Sequence, residues 1–398
     1  MLICNNMNID KWVSSMNIKR IAILLFIIIL TVYEIGYCSE QNDNQNSKFV
    51  NEVTSNKLKA TRITPIFDEK INTNENLIFC STFQMVWNEM CNKYAIGTLE
   101  IEDAPKFVEK LNHLYKQTNL LDENSCITMS GFGGEGIIQK INEAVNKKFG
   151  FLPEDELPPK FDDKLGSNEI IAFSYLYKKL EYPEAFETME PLHMDNNNNN
   201  FYADAFGIKS SYGKENLFKQ IKVFYFNDEN DEADRPLGAI VRLNTKSESD
   251  EIIISTIPAS STLHDSYNKI SNLINQNLNW TFPSTLELTL VSIPKLNFNI
   301  LHEYDELLGK KILNKTFEKY MGNCFISKAI QKISFCLDEK GAKIVSYATL
   351  EFRGGYYASI RIKCPFIIYL KDKNKDSPYF MAYVNNQEVL VNHQPSEK

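Results

Sequence analysis

The stretch with the clearest chemical meaning is the run Arg353, Gly354, Gly355 and Tyr356. An arginine side chain suits the acidic specificity pocket of a trypsin-like protease. The two glycines after it favour a turn. The alternative is that Arg353 is only a solvated charge beside a Gly-Gly turn.

A second suggestive run is GFGGEG, residues 131–136. It has the G-x-G-x-x-G spacing of a dinucleotide-binding turn, and a helical pattern over residues 137–149 follows it. Glu135 opposes that interpretation, because it would put a negative charge beside the pyrophosphate at a helix N-terminus. No regular βαβ alternation follows, so a flexible turn before an amphipathic helix is favoured.

Histidines, the residues most often used for acid–base and metal chemistry, are scattered along the chain. They are His113, His193, His264, His302 and His393. None has a metal-binding spacing, and no G-x-S-x-G or H-E-x-x-H motif occurs. The sequence therefore predicts a protein that is not an enzyme and that needs no cofactor or metal.

Composition restricts the partners and leaves the cysteines open. The 398 residues carry a net charge of −8, and no Lys/Arg run exceeds two, which disfavours nucleic acid as a partner. Beyond a leader, six cysteines remain without CxxC spacing: Cys80, Cys91, Cys126, Cys324, Cys336 and Cys364. Disulfide pairing and buried free thiols are both compatible with this pattern.

The N-terminus is typical of a secretory signal peptide. Lys19 and Arg20 precede an apolar run over residues 21–32, with Gly36 and Cys38 at the small-residue exit. The run is shorter than the ~20 residues that a spanning helix needs, so no stable membrane span is expected. We predict a signal peptide over residues 1–38, a disordered lead-in over 39–60, and a secreted, extracellular or secretory-lumen protein. Asn279 and Asn314 lie in glycosylation sequons, whose use the sequence leaves open.

The elements that would position Arg353 alternate as strands do. Ile333, Phe335 and Leu337 alternate with polar or smaller residues up to the turn DEKG, residues 338–341. Small or apolar side chains then fall on one face of residues 342–352: Ala342, Ile344, Ser346, Ala348, Leu350 and Phe352. Residues 169–177 are nearly all apolar, which indicates a central strand buried on both faces. Strands and helices alternate irregularly, as in an α+β fold.

The C-terminal third resembles the end of a serpin. The resemblance lies in a strand ending in DEKG, some two dozen variable residues, a Pro-Phe strand, a charged turn and the run SPYFM. Upstream, VSIPK at residues 291–295 is the best further match, and the likeness covers most of residues 63–386. It implies a serpin-like domain over residues 61–390. The implied architecture has a large mixed or antiparallel central sheet, further sheets, eight or nine helices and an exposed reactive-centre loop.

The chain departs from the serpin pattern where that family controls opening of its central sheet. Residues 80–83 read Cys-Ser-Thr-Phe in place of Ser-Pro-x-Ser. The family's asparagine and tryptophan of the central strand fall on Phe173 and Glu181. Gln331 stands where the family has a histidine.

The resemblance implies inhibition of a target protease of the serine type by a monomer. The protease cuts the exposed loop, which then inserts as a new strand and traps the acyl-enzyme. Counting along the loop places the cut near Gly355–Tyr356, whereas chemistry favours Arg353–Gly354. The implied hinge consists of Gly341, Ala342, Lys343, Ile344, Ser346 and Ala348.

Ile344 is the misfit in this hinge, since overpacking a tight core costs roughly 1–3 kcal/mol. The alternative is a non-inhibitory binding or carrier protein on the same fold, with an impaired hinge.

Overall fold

The computed structural model describes residues 49–114, 125–151, 157, 165–167, 169–196, 199–209, 215–227, 236–276, 288–317, 324–326, 328–342 and 358–393. The predicted signal peptide lies outside these residues. The α-helices are α1 (Thr82–Met90), α2 (Lys106–Leu114), α3 (Ile137–Phe149), α4 (Glu215–Lys219) and α5 (Leu263–Gln276).

The first ten strands are β1 (Val53–Thr54), β2 (Thr61–Thr64), β3 (Asn76–Cys80), β4 (Cys126–Phe132), β5 (Ile170–Leu176), β6 (Leu180–Glu181), β7 (Glu187–Asn196), β8 (Asn199–Ile208), β9 (Ile221–Asn227) and β10 (Pro236–Asn244). The other ten are β11 (Asp250–Ser255), β12 (Leu288–Pro294), β13 (Leu296–Glu303), β14 (Lys311–Ile312), β15 (Cys324–Phe325), β16 (Ile330–Leu337), β17 (Gly341–Ala342), β18 (Ala358–Arg361), β19 (Phe366–Asp372) and β20 (Phe380–Val384).

The largest sheet has seven strands in the order β2-β3-β20-β19-β11-β10-β9. Only β2 and β3 pair in parallel; the other neighbours are antiparallel. Every residue of β3, β11 and β20 is buried, because separate apolar clusters cover the two faces of the sheet. Strands buried on both faces read as continuous apolar runs, which is why the sequence identified them.

A four-stranded sheet, in the order β18-β12-β8-β7, shares one apolar cluster with the large sheet. Strand β18 lies at its edge and pairs in parallel with β12, with Ile360 beside Val291. The chain that follows the candidate cleavage site is therefore anchored in this sheet.

Strands β5 and β16 lie in two separate sheets. Strands β4 and β5 pair with each other, while β1, β13 and β16 form a three-stranded sheet. Most of β5 is only half-buried, so the prediction of a central strand buried on both faces is wrong. Its apolar residues instead contact helices, α3 on one face and the α1 side on the other.

Two further expectations need correction. The described residues contain five α-helices and one π-helix (Cys91–Ala95), fewer than the eight or nine helices expected. Residues 53–60 fall in the expected disordered lead-in, yet Val53–Thr54 pairs with β13 and a 3₁₀ helix follows. A charged contact reinforces this edge strand, since Lys332 Nζ lies 2.9 Å from Glu52 Oε2.

Candidate functional site

The turn expected at DEKG is present and reverses the chain at the end of β16. The amide of Asp338 donates to the Gly341 carbonyl at 2.9 Å. The Asp338 Oδ1 accepts the Lys340 amide at 2.9 Å, as aspartates at turns often do. Chain leaving this hinge turn, residues 338–341, therefore runs back antiparallel to β16.

Strand β17 continues the hinge turn and pairs antiparallel with β6. Gly341 lies opposite Glu181, and Ala342 opposite Leu180. Gly341 has φ +148°, and a Cβ there would lie 2.2 Å from the Leu180 carbonyl oxygen. Only glycine fits such a close backbone approach.

Backbone hydrogen bonds attach the hinge turn to the segment after β6. The Tyr182 amide donates to the Lys340 carbonyl at 3.0 Å, and the Phe186 amide donates to the Glu339 carbonyl at 2.6 Å. The turn is thus held on one side by its own strand and on the other by residues 180–186.

Buried charges surround the hinge turn. Asp338 and Glu339 are 2% and 3% exposed, and Lys295 Nζ lies 2.6 Å from Glu339 Oε2. Burial raises the pKa of Asp338 from 3.8 to about 7, and the neighbouring Glu339 charge adds to the rise. Burial, and next the charge of Asp338, raises the pKa of the Tyr182 phenol well above its usual value.

A buried polar network occupies the position where the family has a histidine. Gln331 Nε2 donates to the Cys80 carbonyl at 3.0 Å and to Thr82 Oγ1 at 2.8 Å. Its Oε1 accepts the Tyr304 hydroxyl at 2.6 Å. This network joins β16 to the start of α1.

Strand β5 directs alternate side chains toward α3 and toward α1. Phe173, expected at the family's asparagine, packs with α3 on the outer face. Ser174 faces α1, where its Oγ lies 3.9 Å from Met85 Sδ. The Gln331 network is therefore formed without Phe173, and sequence counting missed this because a one-residue offset exchanges the two faces of a strand.

The other loop residues singled out from the sequence lie outside the described residues. Of the implied hinge, only Gly341 and Ala342 are described. The rest of that hinge and the candidate cleavage site fall within residues 343–357: Lys343, Ile344, Ser346, Ala348, Arg353, Gly354, Gly355 and Tyr356. The tryptophan position, Glu181, is described and forms ion pairs with Lys179 and Lys246.

The GFGGEG turn uses its amides within the protein. The Gly133 amide donates to the Glu169 carbonyl at 2.9 Å, and the Gly134 amide to the Ser167 carbonyl at 3.1 Å. A Cβ at Gly133 would lie 2.3 Å from the Gly166 carbonyl oxygen, so its glycine is required by packing. These donors face protein carbonyls, as the turn interpretation expects and a phosphate cradle does not.

Among the described residues the structure contains no disulfide, which decides against one of the two alternatives left by the sequence. Burial raises the pKa of Cys91 to about 11 and that of Cys364 to about 12. Within the described part of the chain, no cluster of three or more His, Cys, Asp or Glu residues is arranged to hold a metal ion. No helix among the described residues combines the length and apolar character needed to cross a bilayer.

No protein-family model and no curated protein sequence matches the chain. Solved serpin structures do match it. Arabidopsis AtSerpin1 is 14% identical, with 79% of this chain and 93% of that chain covered and a TM-score of 0.46. Tengpin, a thermophilic serpin, is 14% identical, with 79% and 90% covered and a TM-score of 0.43.

Human thyroxine-binding globulin complexed with its hormone is also matched, at 12% identity, with 78% and 92% covered and a TM-score of 0.41.

Proposed function

We propose that this chain is a serpin-like inhibitor of a serine-type endopeptidase, acting by loop cleavage and strand insertion. The observation that carries the proposal is the antiparallel pairing of β17 with β6. Strand β6 follows β5 in the chain, so in this proposal the contacts of β17 with β6 are the first contacts of an inserted strand.

The directions of the strands favour insertion between β5 and β16. Chain beyond Ala342 leaves the hinge turn antiparallel to β16 and, through its pairing with β6, antiparallel to β5. In the described residues, β5 pairs only with β4, and β16 only with β13. Each strand thus has one edge whose amides and carbonyls can receive a new strand.

The tether at the other end of the loop explains why cleavage is needed. Residues 343–357 connect β17 to β18, which is fixed beside β12 in the four-stranded sheet. An intact loop is held at both ends, whereas cutting at Arg353–Gly354 frees residues 343–353 to extend along β5. Insertion would bury Leu350 and Phe352, which contributes roughly 1.5–3 kcal/mol per large side chain.

The proposed target protease and cellular location rest on two sequence features. Arg353 fits a trypsin-like target, and the predicted signal peptide over residues 1–38 directs the protein out of the cell or into the secretory lumen. We propose that it acts as a monomer, since the loop, the hinge and the receiving edges all belong to one chain.

The test is incubation of the purified protein with trypsin, followed by denaturing electrophoresis and thermal unfolding. An inhibitor gives a complex that survives detergent, and its cleaved form unfolds at a higher temperature. Clean cleavage near Arg353 without a rise in unfolding temperature would instead support the alternative, a non-inhibitory binding or carrier protein.

One variant tests the role of the hinge in inhibition, and another tests the cleavage site. Gly341→Ala forces a Cβ against the Leu180 carbonyl and should convert an inhibitor into a cleaved substrate. Gly136→Ala is its control, because Gly136 also has a positive φ, +67°, but nothing lies within 4 Å of the added Cβ. Arg353→Ala should abolish the complex with trypsin and leave thermal unfolding of the intact protein unchanged.

A further inference from the structure

The hinge turn buries two neighbouring carboxyl groups. Asp338 and Glu339 are adjacent and buried, and Lys295, whose side chain is 12% exposed, pairs with Glu339. If both acids were ionised, two like charges would lie side by side away from water. Keeping a second unpaired charge out of water costs more than keeping a neutral acid there.

The other groups around Asp338 only partly offset its burial. Cys336, on β16, places its Sγ 3.9 Å from Asp338 Oδ2, and the Tyr182 hydroxyl is buried with no hydrogen-bond partner among the described residues. Lys340, in the turn itself, is half-buried and donates its amide to Asp338, and the charges of Lys340 and Lys295 favour the ionised acid less than burial opposes it. On the facing strand, Glu181 is an acid, and both of its ion pairs are with lysines at the surface.

We propose that Asp338 is a protonation-controlled positioning residue of the hinge. Its neutral acid keeps the hinge turn packed against residues 180–186 and so preserves the pairing of β17 with β6. Its ionised form is better solvated when the turn moves away, so ionisation releases the hinge. Two backbone hydrogen bonds should respond to this ionisation. They run from the Tyr182 amide to the Lys340 carbonyl and from the Phe186 amide to the Glu339 carbonyl, and they are the bonds described between the hinge turn and these two residues.

The direction of the pH effect follows from the raised pKa of Asp338. An acid whose pKa is higher in the packed state stabilises that state while protonated. The stabilisation is complete below the ordinary value of 3.8 and is lost as pH rises to about 7. An acidic lumen would therefore keep the hinge attached, and neutral surroundings would release it. If the proposed function holds, an attached hinge makes loop insertion fastest at acidic pH, and this consequence rests on that function.

Amide hydrogen exchange of the intact, protease-free protein tests the inference. Tyr182 and Phe186 donate to the hinge turn, so their protection reports its attachment. After correction for intrinsic exchange, we expect this protection to fall by up to about tenfold per pH unit between pH 4.5 and 6.5 and to level off above pH 7. Constant protection over this range would overturn the proposal without any variant being needed.

The Asp338→Asn variant tests whether the pH dependence of amide protection arises from the Asp338 carboxyl group. The amide is neutral at every pH, so protection at Tyr182 and Phe186 should lose its pH dependence and at pH 7 exceed that of the wild type. Asp376→Asn is the matched control at an exposed aspartate and should retain the wild-type slope. A slope that persists in Asp338→Asn would contradict the proposal.

The exchange result and the inhibition result are independent. If the hinge is pH-dependent but no detergent-stable complex with trypsin forms, the proposed inhibitory function is wrong and the role of Asp338 stands. If a stable complex forms but amide exchange does not change with pH, the role of Asp338 is wrong and the inhibitory function stands.

Discussion

At the scale of single residues, Gln331 links β16 to the start of α1 through its side-chain amide. A neutral amide there makes three hydrogen bonds, to Cys80, Thr82 and Tyr304. A histidine at this place would add a group that titrates near neutral pH. In this chain the link between β16 and α1 is therefore independent of protonation of residue 331.

Gln331→Ala should lower the free energy of unfolding by about 1–3 kcal/mol, because it leaves buried polar groups of Thr82 and Tyr304 without their partner. Denaturant unfolding measures the loss. Gln139→Ala is the control, since Gln139 is exposed on α3 and its side-chain amide donates to Glu143 Oε1 at 2.9 Å. Equal effects of the two changes would show that the Gln331 network adds no stability.

At the scale of elements, the end of β5 is fixed to the seven-stranded sheet by a buried ion pair. Lys178 Nζ lies 3.0 Å from Asp250 Oδ2, and the side chains are 12% and 3% exposed. Tyr379 and Ser247 donate hydroxyl hydrogen bonds to the same carboxylate, at 3.2 and 2.7 Å. The ion pair therefore anchors the chain after β5 to the seven-stranded sheet.

Lys178→Met keeps the apolar stem of the side chain but leaves Asp250 buried without its ammonium partner. We expect a loss of about 3–5 kcal/mol in the free energy of unfolding. Lys110→Met breaks an ion pair of the same 3.0 Å length with Asp68, whose side chains are 44% and 52% exposed, and should cost about 0–1 kcal/mol. Similar losses in both variants would contradict the anchoring role of Lys178.

At the scale of the whole molecule, packing and hydrogen bonding hold the described residues together, and no disulfide joins them. The described cysteines lie in different apolar clusters, with Cys80 in the main core and Cys91 and Cys324 beside α1 and α2. Burial raises the pKa of all three thiols, and it is the thiolate form that reacts.

Thiol titration with a chromogenic disulfide reagent checks this arrangement. The protein lacking residues 1–38 should release six thiols per chain when unfolded without reductant. In the native state, Cys80, Cys91, Cys324 and Cys364 should react slowly. Fewer than six thiols in the unfolded chain would reveal a disulfide and contradict the free-thiol arrangement.

The sequence by itself determined those features that depend on local chemistry. Alternation predicted β16, the DEKG run predicted the turn, and the continuous apolar runs predicted the buried strands β11, β19 and β20. Tertiary structure alone decided the state of the cysteines, the ordered strand at Val53 and the placement of β5 and β16 in separate sheets. Each depends on which distant segments meet, and a pattern of side chains along one strand does not specify its partner.

The same distinction applies to the candidate site. The DEKG pattern predicted the turn at residues 338–341, and the resemblance to serpins suggested a hinge there. Neither revealed that β17 lies against β6, that Asp338 and Glu339 are buried near Lys295, or that Phe173 packs with α3. Those facts depend on burial and on strand register, and both arise only when the folded chain brings residues 180–186, 295 and 338–342 together.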